Sequence, residues 1–450
     1  MVPRDSKNNN RTLREEAYKT LRIGIPVIVA QLLQMAMNFV DTVMAGNLSA
    51  LDLAAIAVGG AIYIPFILMG GGVVMAITPI VAQLFGARNL KDIGRNVIQG
   101  LWLSQMLAVP IFFIIRNLGI VMELMEVEPR IVPLALGYLD AISWGIFPMF
   151  AYMSLRFFNE GLSVTRPGMY IALIGVLFNI PGNYVLMYGA LGFPRMGAVG
   201  CGYASALVAL VMFVCMLAFT STFQPYNRFK LFHSFRMPEW PYLKEVLSIG
   251  IPIGVSSGME VTMFAIVSLL MGSLGTNAVA GHQVALNFAA LAFMVPLGLS
   301  TAITTRVGNA VGAGSLREAR KRGFLGIGMS VAFMSVTALV MYLFPEWIAG
   351  IYTDDPEVIE VAAGLLLMAA IFQVSDGLQV SGFGALKGLK ETKIPMYVNL
   401  VSYWGLGLPL GYFLGIVYSL GPQGLWIGLI AGLSLAGLLH NARFHVLTRR

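Results

Sequence analysis

The chain has 450 residues, of which 57% are hydrophobic and 11% charged, and its mean hydropathy is +0.78. Soluble domains carry about 25% charged residues, so a water-soluble globule is excluded and the chain reads as integral to a membrane. The net charge of +7 does not signal nucleic acid, because no stretch offers a basic, water-facing surface with base-contacting residues.

A spanning helix needs about 20 mostly apolar residues. Residues 1–21, basic and rich in Asn, lack a signal-peptide pattern and read as a cytoplasmic tail. Six spans follow, predicted over 22–46, 52–82, 96–116, 133–156, 168–189 and 198–221. The polar segment 222–243, with Pro225, Arg228, Lys230, Arg236, Pro238 and Pro241, reads as a linker. Six more spans are predicted over 244–271, 278–305, 323–344, 358–385, 395–418 and 423–443. This gives an N-lobe over 22–221 and a C-lobe over 244–450.

The two lobes repeat one another. Gly24-Ile25-Pro26 returns as Gly250-Ile251-Pro252, Ala76-Ile77-Thr78 as Ala302-Ile303-Thr304, and Gly86-Ala87 as Gly312-Ala313, all at an offset of 226. Pro167, Pro181 and Tyr184 return as Pro395, Pro409 and Tyr412 at 228. Six spans per lobe is an even number, so both lobes enter from the same side and the repeat is parallel, with a pseudo-two-fold along the membrane normal. With the N-terminus inside, 26 of the 29 Lys and Arg fall on the cytoplasmic side and only Arg116, Arg130 and Arg195 outside. That bias predicts both termini in the cytoplasm.

Four carboxylates interrupt the apolar spans: Asp41, Asp140, Glu260 and Asp376. An ionised acid at mid-membrane costs at least about 2.5 kcal/mol on insertion scales. Asp41 ends a helical stripe with Gln31, Gln34 and Asn38. Glu260 follows Ser256 and Ser257, and Phe264 lies one turn on. Asp376 lies between Gln373 and Gln379, and the pairs Asn179/Asn183 and Gln283/Asn287 add polar faces at i, i+4. The span interiors read as holding essentially no Lys or Arg. The acids are therefore expected to face an internal, partly wet cavity and to take a proton or a cation in turn. Asp140, about two turns from the outer end of its span, is expected to be peripheral. Cys201 and Cys215 read as small buried residues rather than a disulfide or metal pair.

The chain has no G-x-x-x-x-G-K-[ST] and no H-E-x-x-H, and its histidines, His233, His282, His440 and His445, form no ligand set. No enzyme chemistry and no cofactor are expected.

Several strings resemble the multidrug and toxic compound extrusion (MATE) transporters, NorM branch. They are Phe39-Val40-Asp41-Thr42-Val43-Met44-Ala45-Gly46, Thr78-Pro79-Ile80-Val81-Ala82-Gln83, Asn179-Ile180-Pro181 with Asn183-Tyr184, and Gly197-Ala198-Val199-Gly200-Cys201-Gly202. Later ones are Gly281-His282-Gln283-Val284, Tyr352-Thr353-Asp354-Asp355-Pro356 and Gln373-Val374-Ser375-Asp376. The resemblance implies an all-α integral membrane fold of twelve helices in two six-helix lobes set in a V. It implies antiport in the inner membrane of a bacterium, with sodium or protons running in and cationic or zwitterionic amphipathic drugs running out, as a monomer needing no cofactor besides the coupling ion. It implies cation or proton handling at Glu260, Asp376, Asp41 and Asn179, with Glu260 and Asp376 as the pair that would hold Na⁺. It places substrate contacts at Asp41, Gln34, Asn38, Phe264, Gln283 and Asp355. His282 departs from the usual pattern beside Gln283. A lipid or lipid-linked oligosaccharide flippase of related architecture is the alternative, and the lack of internal bases counts against it.

Overall fold

A computed structural model describes residues 12–124, 127–223, 226, 229 and 237–449. Most of the expected tail, and Pro225, Arg228, Lys230, His233 and Arg236 of the expected linker, lie outside the described residues.

Long apolar runs dictate helices here, because in hydrocarbon only a helix or a closed barrel satisfies every backbone polar group. Among the described residues there is no strand, and 11 helices are long and apolar enough to span a membrane. They are α1 (Leu13–Leu48), α2 (Ala50–Gly86), α3 (Leu90–Arg116), α5 (Arg166–Tyr188), α6 (Ala198–Thr222), α7 (Trp240–Gly272), α8 (Thr276–Gly312), α9 (Leu316–Leu343), α10 (Pro356–Gly388), α11 (Lys393–Val417) and α12 (Gly421–Thr448). The twelfth span, α4, is a pair, Val132–Ser143 and Ile146–Gly161, bent by 46°. The twelve expected spans are thus all present, and most run past their expected edges. A hydropathy reading stops at the first charges, whereas the backbone hydrogen bonds continue.

Short side-chain caps set several starts. Ser49 accepts from Asp52 N ahead of α2, and Asp355 Oδ1 accepts from Glu357 N at 3.0 Å ahead of α10. Within α11, residues Leu400–Gly407 and Phe413–Val417 take π-helical geometry on either side of Leu408–Tyr412. Pro409 lies in that stretch and has no N–H to continue the ladder, a common cause of local widening. Its repeat partner Pro181 lies in α5, which stays α-helical throughout.

The chain packs as two compact units. One comprises Val29–Val81 and Asn89–Gly254; the other comprises the segment ending at Ile28, Ala82–Arg88 and Val255–Arg450. The first has a core around Phe112, Tyr138, Phe150 and Cys201. The second is centred on Met263, Leu365, Phe372, Tyr403 and Trp426, with a further cluster at Ile303, Val307 and Phe444.

The contacts inside these units carry the signature of the repeat. A Cβ built on Gly250 would lie 2.2 Å from Val73 O, and one on Gly24 would lie 3.1 Å from Leu299. Gly24 and Gly250 are repeat partners, and so are Val73 and Leu299. The same exchange recurs where α2 and α8 end: Gly86 faces Asn309 O at 2.2 Å, and Gly312 faces Gln83 O at 1.9 Å. Thus the first part of α1 packs on α8 of the C-terminal repeat, and the first part of α7 packs on α2 of the N-terminal repeat. Polar contacts follow the same rule. Glu16 at the start of α1 is paired with Arg306 of α8 and, at 3.5 Å, with Arg322 of α9. Glu239, just before α7, is paired with Arg95 of α3.

Candidate functional site

In the first unit the site is built on α1, α5 and α6. Asn179 and Asn183, one turn apart on α5, both donate to Asp41 Oδ1, at 2.9 and 2.5 Å. Asn183 also donates to Asn179 Oδ1 at 3.4 Å, and the Ser205 hydroxyl of α6 lies near the Asp41 carboxylate. The amides are buried and Asp41 is half-buried. Its carboxylate is held by neutral donors. Ser205 is the partner that sequence reasoning missed, since nothing in its spacing marks it.

One and two turns back along the same face of α1 stand Asn38, exposed, and Gln34, half-buried. Gln34 Oε1 accepts from Arg156 Nη1 of α4 at 3.5 Å, and Arg156 Nε donates to Glu160 at 2.8 Å.

In the second unit, α7, α10 and α11 bring Glu260, Asp376 and Tyr403 within electrostatic reach of one another. Asp376 is buried and Glu260 half-buried. Asp376 Oδ1 has no hydrogen-bond partner among the described residues, and neither have Tyr403 Oη, Ser402 Oγ, Asn399 Oδ1, Gln379 Oε1 and Gln373 Oε1. Buried oxygens left in this condition call for water or an ion. Carboxylate and hydroxyl oxygens such as those of Asp376 and Tyr403 are ligands of the kind a hard cation such as Na⁺ takes; among the described residues no group of three His, Cys, Asp or Glu could hold a metal ion. Tyr403 and Ser402 sit in the π-helical stretch of α11, a feature that recurs at functional sites. They carried no sequence signal, because an aromatic or a serine in a span reads as packing.

Phe264 is half-buried one turn beyond Glu260, its ring 6.0 Å from Phe372 and edge-on to it. Phe372 leads to Trp426 at 5.6 Å. Trp426 Nε1 donates to His282 Nδ1 at 3.2 Å, and His282 Nε2 meets Ser268 Oγ at 3.1 Å. His282 is therefore a packed histidine, fully buried, while its neighbour Gln283 is exposed, as is Asn287 one turn on. Asp355 stands apart from Glu260 and Asp376 in chain and role: it is exposed and caps α10. Asp140 is half exposed and lies 3.5 Å from Arg116.

One expectation is corrected. The spans do hold buried bases: Arg156, Arg306 and Lys387 are each at most 6% exposed. All three sit near the ends of α4, α8 and α10, at or beyond the edges expected from hydropathy. Arg156 and Arg306 are paired with buried acids, which makes their burial tolerable. Lys387 packs over the Phe383 ring at 5.1 Å, and its charge reaches Glu260.

A duplicated six-span helical unit with isolated acids in both copies is the architecture of secondary transporters. The MatE family model matches residues 26–185 and again 252–413, so its two matches start 226 residues apart and end 228 apart, the offsets of the internal repeat. The chain belongs to the MatE family. It is 43% identical over 440 residues to the multidrug resistance protein MdtK of Yersinia enterocolitica, covering 97% of this chain and 96% of the relative. It is 42% identical to MdtK of Yersinia pestis over the same shares. Among solved structures it superposes on the eukaryotic MATE transporter AtDTX14 with a TM-score of 0.88 at 18% identity, over 97% of this chain and 98% of that one. The Vibrio cholerae MATE transporter VcmN in its bent form gives 0.85 at 17% identity over the same shares. The fold is therefore the MATE fold, all-helical and multi-pass.

Proposed function

We propose that this protein is a cation-coupled efflux antiporter of the bacterial inner membrane. It exports amphipathic cationic and zwitterionic drugs by alternating access, driven by inward protons or sodium, and has no catalytic activity of its own. The relatives named multidrug resistance proteins support this reading. The observation that carries it is the Glu260–Asp376–Tyr403 cluster, where a buried carboxylate oxygen and several buried neighbours have no protein partner among the described residues. A cation arriving there replaces what the protein withholds, and its departure leaves a site that again attracts positive charge. Loading the ion then opposes loading a cationic drug, which is the coupling antiport needs. One charge crossing about 150 mV gains roughly 3.5 kcal/mol, enough for a drug gradient of a few hundredfold. Both termini lie in the cytoplasm in this reading, the lobes are 22–221 and 244–450 joined by 222–243, and the protein acts as a monomer in the bilayer.

The test is efflux of a fluorescent cationic amphiphile from cells. Collapsing the proton gradient while sodium is held, and then the reverse, should stop efflux in one arm. Efflux that survives both treatments would contradict ion coupling.

A further inference from the structure

A cavity of about 430 Å³ opens at the start of α9, lined by Arg317, Glu318, Arg320, Lys321 and Phe324. Three of the five are bases and one is an acid, and the acid does not offset them. Glu318 Oε2 lies 3.5 Å from Arg322 Nη2, while Arg322 and Arg306 both meet Glu16. Those two arginines account for both acids. Arg317, exposed, and Arg320, half-buried, have no acid partner among the described residues. Arg320 is held by neutral groups instead. Its Nη2 lies 3.2 Å from His445 Nδ1 of α12, and a guanidinium carries only donors, so that nitrogen accepts and the ring bears its proton on Nε2. Its Cζ lies 5.9 Å from the centroid of the Phe324 ring, which packs edge-on against Phe444. The guanidinium is thereby oriented and keeps its charge for an anion.

The rest of α9 says which anion. From Phe324 to Leu343 the helix carries no charge. Gly328, Ala332, Val336, Leu339 and Leu343, at steps of three or four, form an exposed apolar face that runs on from the cavity. In a spanning helix such a face is one that acyl chains can cover, and bases at its end stand at headgroup depth. We propose that the cavity is a site for an anionic phospholipid such as phosphatidylglycerol. Arg317 and Arg320 take the phosphodiester, and the acyl chains lie along the exposed face of α9. A soluble phosphate brings the same charge but nothing to cover the apolar stripe. The site would stand whatever the protein exports.

Melting of the detergent-purified protein, titrated with phosphatidylglycerol, phosphatidylcholine or inorganic phosphate, tests this. Phosphatidylglycerol should raise the melting temperature saturably, and the other two should not. In Arg317→Gln/Arg320→Gln the phosphatidylglycerol needed for half the effect should rise at least about tenfold, the worth of one charge-assisted hydrogen bond. Lys91→Gln/Arg166→Gln removes two exposed bases elsewhere and should stay within about twofold of the wild type. Arg317→Glu alters an exposed side chain and should show the loss with its lipid-free melting unchanged, which keeps the test decisive if the cavity double variant misfolds. An equal shift from phosphatidylcholine or from inorganic phosphate would overturn the lipid site. So would equal losses in the two double variants, or no loss in either cavity variant.

Discussion

At Asp41 three neutral side chains from α5 and α6 converge on one carboxylate. Neutral donors stabilise the anion without cancelling its charge, so in the proposed cycle a cationic guest would still feel it; an arginine in their place would have neutralised the charge. Asp41→Asn removes that charge and sets an amide against two amides. Efflux of cationic drugs is expected to fall at least about tenfold, at unchanged membrane abundance, with neutral amphiphiles affected less. A growth assay on graded drug, read beside an immunoblot, checks both. The candidate acids were legible in the sequence because a carboxylate in an apolar run has few innocent explanations. Tyr403, Ser402 and Ser205 were not, since hydroxyls in spans are commonplace and only three-dimensional convergence singles them out. Arg156, Arg306 and Lys387 escaped for a different reason: each lies where an apolar run gives way to polar residues, and an acid one turn on for Arg156, an acid far away in sequence for Arg306 and a ring on the same helix for Lys387 make their burial possible.

Among the described glycines, those at the crossing of α2 with α8 include the one with least room for a Cβ. Gly86 and Gly312 are repeat partners, and each lies against the backbone carbonyl of the residue three positions before the other. Small residues let membrane helices approach this closely. The obstacle to a Cβ on Gly312 is a carbonyl, Gln83 O at 1.9 Å, which unlike a side chain cannot swing away. Gly312→Ala should force the helices apart at a cost of roughly 1–3 kcal/mol, lowering the melting temperature of detergent-purified protein. Gly328, with nothing within 4 Å of its Cβ position, supplies the control, and Gly328→Ala should leave melting unchanged. Equal melting of both variants would remove the crossing from the account. The existence of these helices was plain from hydropathy alone. The π-helical geometry of α11 was not, because its twin α5 carries the matching proline and stays α-helical.

The whole molecule follows from duplication. Two matches to one family model, spaced as the internal repeat is spaced, leave the six-plus-six arrangement as the simplest history of the chain. The repeat and the 26-to-3 split of bases made that arrangement readable. What sequence could not reveal is the exchange by which the start of α1 packs with the C-terminal repeat and the start of α7 with the N-terminal one. A repeat shows which residues correspond, and correspondence is silent on whether a helix packs within its own copy or on the other. The same duplication gives the account its central claim. The acids are not duplicated: Glu260 answers to Gln34 and Asp41 to Val267. In the proposed cycle each half would contribute a different charged site. The most direct measurement is drug transport by purified protein in proteoliposomes under an imposed sodium or proton gradient, wild type beside Glu260→Gln. The wild type should concentrate the drug against its gradient under one of the two ions, and Glu260→Gln, equally folded by its melting curve, should not. Full gradient-driven transport by Glu260→Gln would contradict the claim that this carboxylate takes part in coupling.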